Sequence, residues 1–213
     1  MSKEGYYVAV EGPIGAGKTT VAKRLAERWE AAFVYERVED NPLLAPFYEC
    51  PEKNAFHLQL YFLIQRSDQQ RAILAHRKEG MVVSDYMFAK DDLFARLVLN
   101  PRQYHLYQDV CRELSPPNVR ADAVIYLRAG VETLMRRVKE RGREYERNMS
   151  EGYLTKVVAA YNGFFASYDR TPLIAVDTET VDLVRDKDAL AGLANRVAEA
   201  AWVNRPAVGS GKS

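Results

Sequence analysis

With 213 residues, 47% of them apolar and 28% charged, the chain is long enough for one α/β domain with a filled core and short for two. Thirty basic residues against 29 acidic leave a net charge of +1, which argues against a nucleic-acid or membrane surface as partner, since either favours a marked basic excess. The two cysteines, Cys50 and Cys111, fit no metal-ligand spacing and are too few for a disulfide framework, so a reducing cytoplasm is the expected location.

The first residues, MSKEGYYVAVEG, lack a basic stretch followed by a long apolar run, so neither export nor membrane insertion is expected. Five short runs rich in Val, Ile and Tyr read as buried strands: Tyr6 to Val10, Phe33 to Tyr35, Met81 to Val83, Ala123 to Leu127, and Leu173 to Val176. Stretches of helical period separate them, which makes each connection a crossover and the sheet largely parallel. The third crossover carries at least two helices. Asn54 to His76 reads as a helix whose apolar stretch is interrupted by polar groups. In the last helix Ala189, Leu190, Leu193, Ala194, Val197, Ala198 and Ala201 recur at three- and four-residue steps, with Asp186 near its start. The expected organisation is one domain over 1–203 and a flexible tail over 204–213, rich in Pro, Gly and Ser. Within the tail, Gly209-Ser210-Gly211-Lys212-Ser213 imitates half of a phosphate loop but has no helix after it to supply amides and a dipole.

The strongest motif follows the first strand. Gly12-Pro13-Ile14-Gly15-Ala16-Gly17-Lys18-Thr19 fits G-x-x-x-x-G-K-[ST], between a strand and a helix beginning near Lys18. Glycines let consecutive N–H groups turn inward on a β-phosphate, Lys18 neutralises the β and γ oxygens, and Thr19, with Thr20 beside it, opens the helix. The Thr19 hydroxyl is a candidate Mg²⁺ ligand, and ATP is the expected nucleotide. The loop alone does not separate kinases from GTPases and motor ATPases. A GTPase should add D-x-x-G and N-K-x-D elements, and many motor ATPases add four apolar residues followed by Asp-Glu; the sequence contains none of these.

Ligands of a parallel sheet sit beyond the carboxyl ends of its strands, where Glu11, Glu36 and Asp85 fall. Glu36 is a candidate general base for an attacking hydroxyl, and Asp85 a candidate acid for holding the magnesium ion. The alternative for either is a helix N-cap or a solvated loop charge. Arg136, Arg137, Lys139, Arg141, Arg143 and Arg147 crowd the end of the helix after the fourth strand. Such a run is either a solvated face or a lid, over about 137–148, whose Arg137, Arg141 and Arg143 close on ATP and spread the charge of the transferring phosphoryl group.

On the loop GPIGAGKT, Glu36-Arg37-Val38, Tyr48-Glu49 leading into Phe56-His57-Leu58-Gln59, and Arg141-Gly142-Arg143 followed by Glu146 and Tyr153-Leu154, the chain resembles the deoxyribonucleoside kinase family from about Tyr6 to Val176. The resemblance implies a three-layer P-loop kinase fold, with a five-stranded parallel sheet flanked by helices and an Arg-rich lid. It implies ATP-dependent phosphorylation of a nucleoside 5′-hydroxyl in nucleotide salvage. By analogy it also implies a homodimer. Carried over residue by residue, Glu36 is the base, Tyr48 and Glu146 grip the 3′-hydroxyl, Gln59 reads the nucleobase, and Arg66 and Asp91 pair beside it. Gln59 and Arg66 lie seven residues apart, nearly two helical turns, and so share a helix face. A purine acceptor, deoxyadenosine or deoxyguanosine, is expected.

The chain departs from the family pattern after the third strand. Where many members carry Glu-Arg-Ser or Asp-Arg-Ser, this sequence has Asp85-Tyr86-Met87, and Lys90, one helical turn further on, is expected to supply the missing cation. Two competing readings are a thymidylate-type nucleoside monophosphate kinase, which needs extra arginines for its acceptor's phosphate, and a regulatory protein that holds ATP without turning it over.

Overall fold

The computed structural model describes residues 5–114, 117 and 119–202. Strands β1 (Tyr7–Glu11), β2 (Ala32–Val34), β3 (Val82–Ser84), β4 (Ala123–Arg128) and β5 (Leu173–Asp177) form one sheet in the order β2-β3-β1-β4-β5, every pairing parallel. Helices α1 (Lys18–Trp29), α2 (Leu44–Glu49), α3 (Pro51–Glu79), α4 (Lys90–Val98), α5 (Pro101–Leu114), α6 (Val131–Arg141), α7 (Glu151–Ala166) and α8 (Lys187–Trp202) flank it, with one 3-10 turn at Glu144–Glu146. Two of these, α4 and α5, lie in the third crossover, as its length demanded.

Strands β1 and β4 are central, and their apolar runs are buried on both faces, which is why they do not alternate with polar residues. The edge strand β5 does alternate, with Ala175 exposed between buried Ile174 and Val176. Register carries β1, β3, β4 and β5 one residue past their expected ends and stops β2 one residue short. Glu11 pairs with Tyr126 and so belongs to β1. Ala32 pairs with Val82 and Val34 with Ser84, which leaves Tyr35 past the end of β2 and half exposed.

Helix α3 is longer than the expected Asn54 to His76. Pro51 occupies its first turn, where a missing N–H costs nothing, and the chain leaves the helix at Gly80. Its buried residues recur at three- and four-residue steps, Ala55, Leu58, Gln59, Phe62, Leu63, Arg66, Ser67, Gln70 and Ile73. Polar and apolar side chains thus share one inward stripe. The cap expected near Asp186 is present: its Oδ1 accepts the N–H groups of Asp188 at 2.8 Å and Ala189 at 3.0 Å. The expected end of the domain at 203, the tail 204–213 and its Gly209–Ser213 fragment lie outside the described residues.

Candidate active site

The phosphate loop turns between β1 and α1 with Gly15 at φ 86° and Gly17 at φ 90°, left-handed values that favour glycine. Gly15 also has no room for a side chain, since a methyl there would stand 2.9 Å from the Leu134 carbonyl oxygen of α6. No side chain caps α1 and its first turn carries no acid. Its free amides and dipole therefore suit an anion. Lys18 Nζ donates to the Pro13 carbonyl at 3.0 Å, and burial together with the nearby Lys90 pulls its ammonium down to about 8.

Glu11, grouped by sequence with the possible strand-end catalysts, is fully engaged as scaffold. Oε1 accepts Gly12 N–H at 3.0 Å and the Tyr161 hydroxyl at 2.9 Å, and Oε2 accepts Met87 N–H at 2.9 Å. It ties the start of the loop to α7 and to the segment after β3.

Asp85 joins the two halves of the site. The Thr19 hydroxyl donates to Oδ2 at 2.5 Å, and the Glu36 backbone N–H donates to Oδ1 at 2.8 Å. Burial raises the Asp85 carboxyl and the Thr19 bond opposes that rise. A hydroxyl and a carboxylate side by side form the hard-oxygen pair that Mg²⁺ accepts, the remaining positions falling to phosphates and water.

Glu36 is nearly buried and held by two cations. Arg66 donates to Oε1 from Nε at 2.9 Å and from Nη2 at 2.5 Å, and Lys90 Nζ donates to Oε2 at 2.6 Å. Burial acts to raise its carboxyl, but Lys90 and Arg66 outweigh it and hold Glu36 far below the usual carboxylate range. It is therefore an anion at every physiological pH. Arg66 spans to Asp91, whose other oxygen accepts the Tyr107 hydroxyl.

A cavity of about 290 Å³ collects these groups. Lys18, Thr19 and Thr20 line one end with Ile14, Gly15 and Gly17, and Glu36, Arg66, Asp85 and Lys90 line its middle. Gln59 and Tyr48 complete the far wall with Phe47, Leu58, Phe62 and Tyr153. Gln59 is 2% exposed, and its Oε1 has no hydrogen-bond partner among the described residues. Such an amide calls for a ligand, because burying it unpaired is costly. Tyr48 and Tyr153 meet edge to face at 6.0 Å, and burial, with Tyr153 and Glu146 nearby, raises the Tyr48 hydroxyl well above its ordinary value.

From the other side, Arg141 donates through Nη2 to both oxygens of buried Glu146, at 2.5 and 2.7 Å, and all three of Arg141, Arg143 and Glu146 reach the cavity. Arg143 reaches Glu39 at 2.5 Å. Arg137 does not join them. Its guanidinium donates to the Thr178 hydroxyl at 2.8 Å and carbonyl at 2.7 Å, which turns it toward the loop after β5 and away from the cavity wall. Asp91 is likewise no wall residue, standing behind Arg66. Sequence reasoning missed the apolar wall of Val38, Leu44, Phe47, Phe62 and Phe94, whose residue types do not differ from ordinary core, and it missed Tyr107.

Comparison with known proteins is consistent with this arrangement. A family model described as deoxynucleoside kinase matches residues 8–201. A deoxyguanosine kinase of Bacillus subtilis (strain 168) is 31% identical over 199 residues, covering 91% of this chain and 96% of that protein. A deoxyadenosine kinase of Dictyostelium discoideum is 35% identical over 188 residues, covering 85% and 76%. Among solved structures, a deoxyadenosine kinase from M. mycoides with dCMP and dCDP bound superimposes with a TM-score of 0.78 at 26% identity, covering 91% of this chain and 98% of that one.

Proposed function

The chain belongs to the deoxynucleoside kinase family, and from that premise we propose that it transfers the γ-phosphoryl group of ATP, as its Mg²⁺ complex, to the 5′-hydroxyl of a purine deoxyribonucleoside in nucleotide salvage. The observation that carries the reading is Glu36: a buried, permanently ionised carboxylate in the same cavity as Lys18 and the Thr19–Asp85 pair. ATP binds through residues 12 to 20, with Lys18 on the β and γ oxygens. Thr19 and Asp85 hold Mg²⁺, which supplies charge neutralisation at the transferring group.

Glu36 is a weak base in the resting site, because two cations stabilise its charge. That suits phosphoryl transfer, whose loose transition state makes the acceptor proton acidic only as the new bond forms. The carboxylate orients the hydroxyl beforehand and takes the proton late. Lys90, in place of the family arginine, steadies Glu36 and faces the incoming phosphoryl oxygens. Tyr48 and Glu146 hold the 3′-hydroxyl, and the Gln59 amide, its Oε1 unpaired, reads the base with Arg66 and Asp91 behind it.

Residues 137–148 act as the lid. Arg141 and Arg143 exchange their carboxylate partners for phosphate oxygens, while Arg137 serves the donor from the side of Thr178. The purine preference rests on the names of the relatives above, a deoxyguanosine and a deoxyadenosine kinase. The chain is read as one domain that works as a homodimer in the cytoplasm. Among the described residues no helix is long and apolar enough to cross a membrane.

Labelled ATP offered with dA, dG, dC, T and TMP tests the reading. Label on dA or dG ahead of dC and T is the expected result. Label on TMP alone would identify a nucleotide acceptor and reject it.

A further inference from the structure

The Tyr107 ring is buried in an apolar cluster with Leu63 of α3 and Ala95 of α4, and Phe56, Leu60 and Val110 pack against it. Phenylalanine would fill that space equally well. A hydroxyl placed there costs free energy unless it finds a partner, and the partner it finds is Asp91. Asp91 is 1% exposed and divides its oxygens, Oδ1 to Arg66 and Oδ2 to Tyr107. Arg66 in turn grips Glu36, which Lys90 holds from the other side. A relay of contacts therefore runs from α5, outside the cavity, to the carboxylate that faces the acceptor.

Building on the acceptor-side reading of Glu36 and Arg66, we propose that Tyr107 is a positioning residue: its hydroxyl donates to Asp91, Asp91 as an anion anchors Arg66, and the anchored guanidinium fixes the Glu36 carboxylate. The groups that act on Asp91 are Arg66 of α3, Glu36 beyond β2, and Tyr107 and Cys111 of α5, while Asp92 and Arg112 line the same outer hollow and Lys90 precedes it on its own helix. Burial pushes the Asp91 carboxyl above its ordinary value, and Arg66 and the Tyr107 bond pull it back. Removal of the hydroxyl leaves burial less opposed, so Asp91 takes up a proton at higher pH. Arg66 then keeps Glu36 as its sole anionic partner and is no longer braced from behind.

The test is kcat/KM for the nucleoside against pH in wild type and Tyr107→Phe. The acid limb should move upward by about one pH unit, the size of one hydrogen bond to a charged carboxylate. Above that limb kcat/KM should stay within about threefold of wild type and KM for ATP should not change, because the wall of the cavity is intact. In an Asp91→Asn background Tyr107→Phe should produce no further displacement. A lower melting temperature with an unmoved acid limb means a merely structural tyrosine and overturns the proposal.

If Tyr107→Phe does not fold, wild type against Asp91→Asn decides: an acid limb identical in both overturns it as well. Glu36→Gln separates the two levels of inference. Wild-type turnover in Glu36→Gln sinks the acceptor-side reading itself. An inactive Glu36→Gln beside an unmoved Tyr107→Phe profile sinks the role of Tyr107 alone.

Discussion

Thr19 and Asp85, 66 residues apart, meet through a 2.5 Å hydrogen bond that joins the phosphate loop to the end of β3. The second Asp85 oxygen accepts the Glu36 backbone N–H, so one carboxylate ties donor and acceptor sides together. Replacing it by an amide keeps the shape and removes the negative charge that Mg²⁺ requires. Asp85→Asn should lower kcat by about 10²-fold to 10³-fold and raise the Mg²⁺ concentration for half-maximal rate. A magnesium titration of the steady-state rate measures both, and chelation of the metal should stop the wild-type reaction.

Lys90 donates to Glu36 Oε2 at 2.6 Å from the first turn of α4. Lys90→Ala should reduce kcat/KM for the nucleoside on the order of 10²-fold and leave KM for ATP within about twofold. Lys90→Arg should recover most of the loss, since a guanidinium can reach the same oxygen. Steady-state kinetics with each substrate varied in turn reads these effects.

Glu36→Gln strands the buried Lys90 ammonium and leaves Arg66 with Asp91 alone, and breaking such an ion cluster costs about 3–5 kcal/mol of stability. Loss of activity in that variant therefore has a folding component. The double variant Glu36→Gln/Lys90→Met removes the stranded charge. It should regain stability in denaturant melts while remaining inactive, which isolates the chemical role of the carboxylate.

Lys18 titrates near 8 in the ligand-free protein against 10.5 when unperturbed, because burial and Lys90 disfavour its charge. The folded-state value is the lower one. This lysine therefore costs stability while it is charged, and the cost is relieved as pH rises from about 8 to 10.5. Phosphate binding needs the charged form, so ATP affinity should weaken as pH climbs through 8. Calorimetric titration between about pH 7 and 9.5 should show that decline, and Lys18→Arg should flatten it, since arginine stays protonated.

Two loop glycines separate strain from collision. Both have left-handed φ, but a methyl on Gly15 would meet the Leu134 carbonyl at 2.9 Å, whereas nothing lies within 4 Å of one on Gly17. Gly17→Ala should cost about 1 kcal/mol of stability, and Gly15→Ala about 2–4 kcal/mol, as read from denaturant midpoints.

Much of the site was legible because its parts are local. The phosphate loop is contiguous, Glu36 and Asp85 follow recognisable strands, and Gln59 and Arg66 share a stripe that a helical period reveals. Lys90 was reached by counting one turn from a missing arginine, and the structure sets its ammonium against Glu36. What could not be read depended on packing between distant elements. The Arg66–Asp91 pair was expected from the family resemblance, but that Tyr107 braces it follows from how α5 lies on α3 and α4, which no periodicity encodes. Arg137 and Arg141 sit one helical turn apart in a single basic run. Thr178, contributed from 41 residues away, draws the first, and Glu146 draws the second. Strand ends shifted by one residue because neighbouring strands, not propensity, decide where pairing stops.

The buried quartet of Glu36, Asp91, Arg66 and Lys90 sums formally to zero, and both cations are already engaged. An uncharged alcohol enters such a place without electrostatic penalty. Once phosphorylated, the same molecule carries an anion beside Glu36, and Lys90 can offset it only by sharing a charge that this carboxylate already holds. The turnover that makes the monophosphate therefore also loosens the site's hold on it, and expulsion of the product is favoured by the resting charge pattern of the protein.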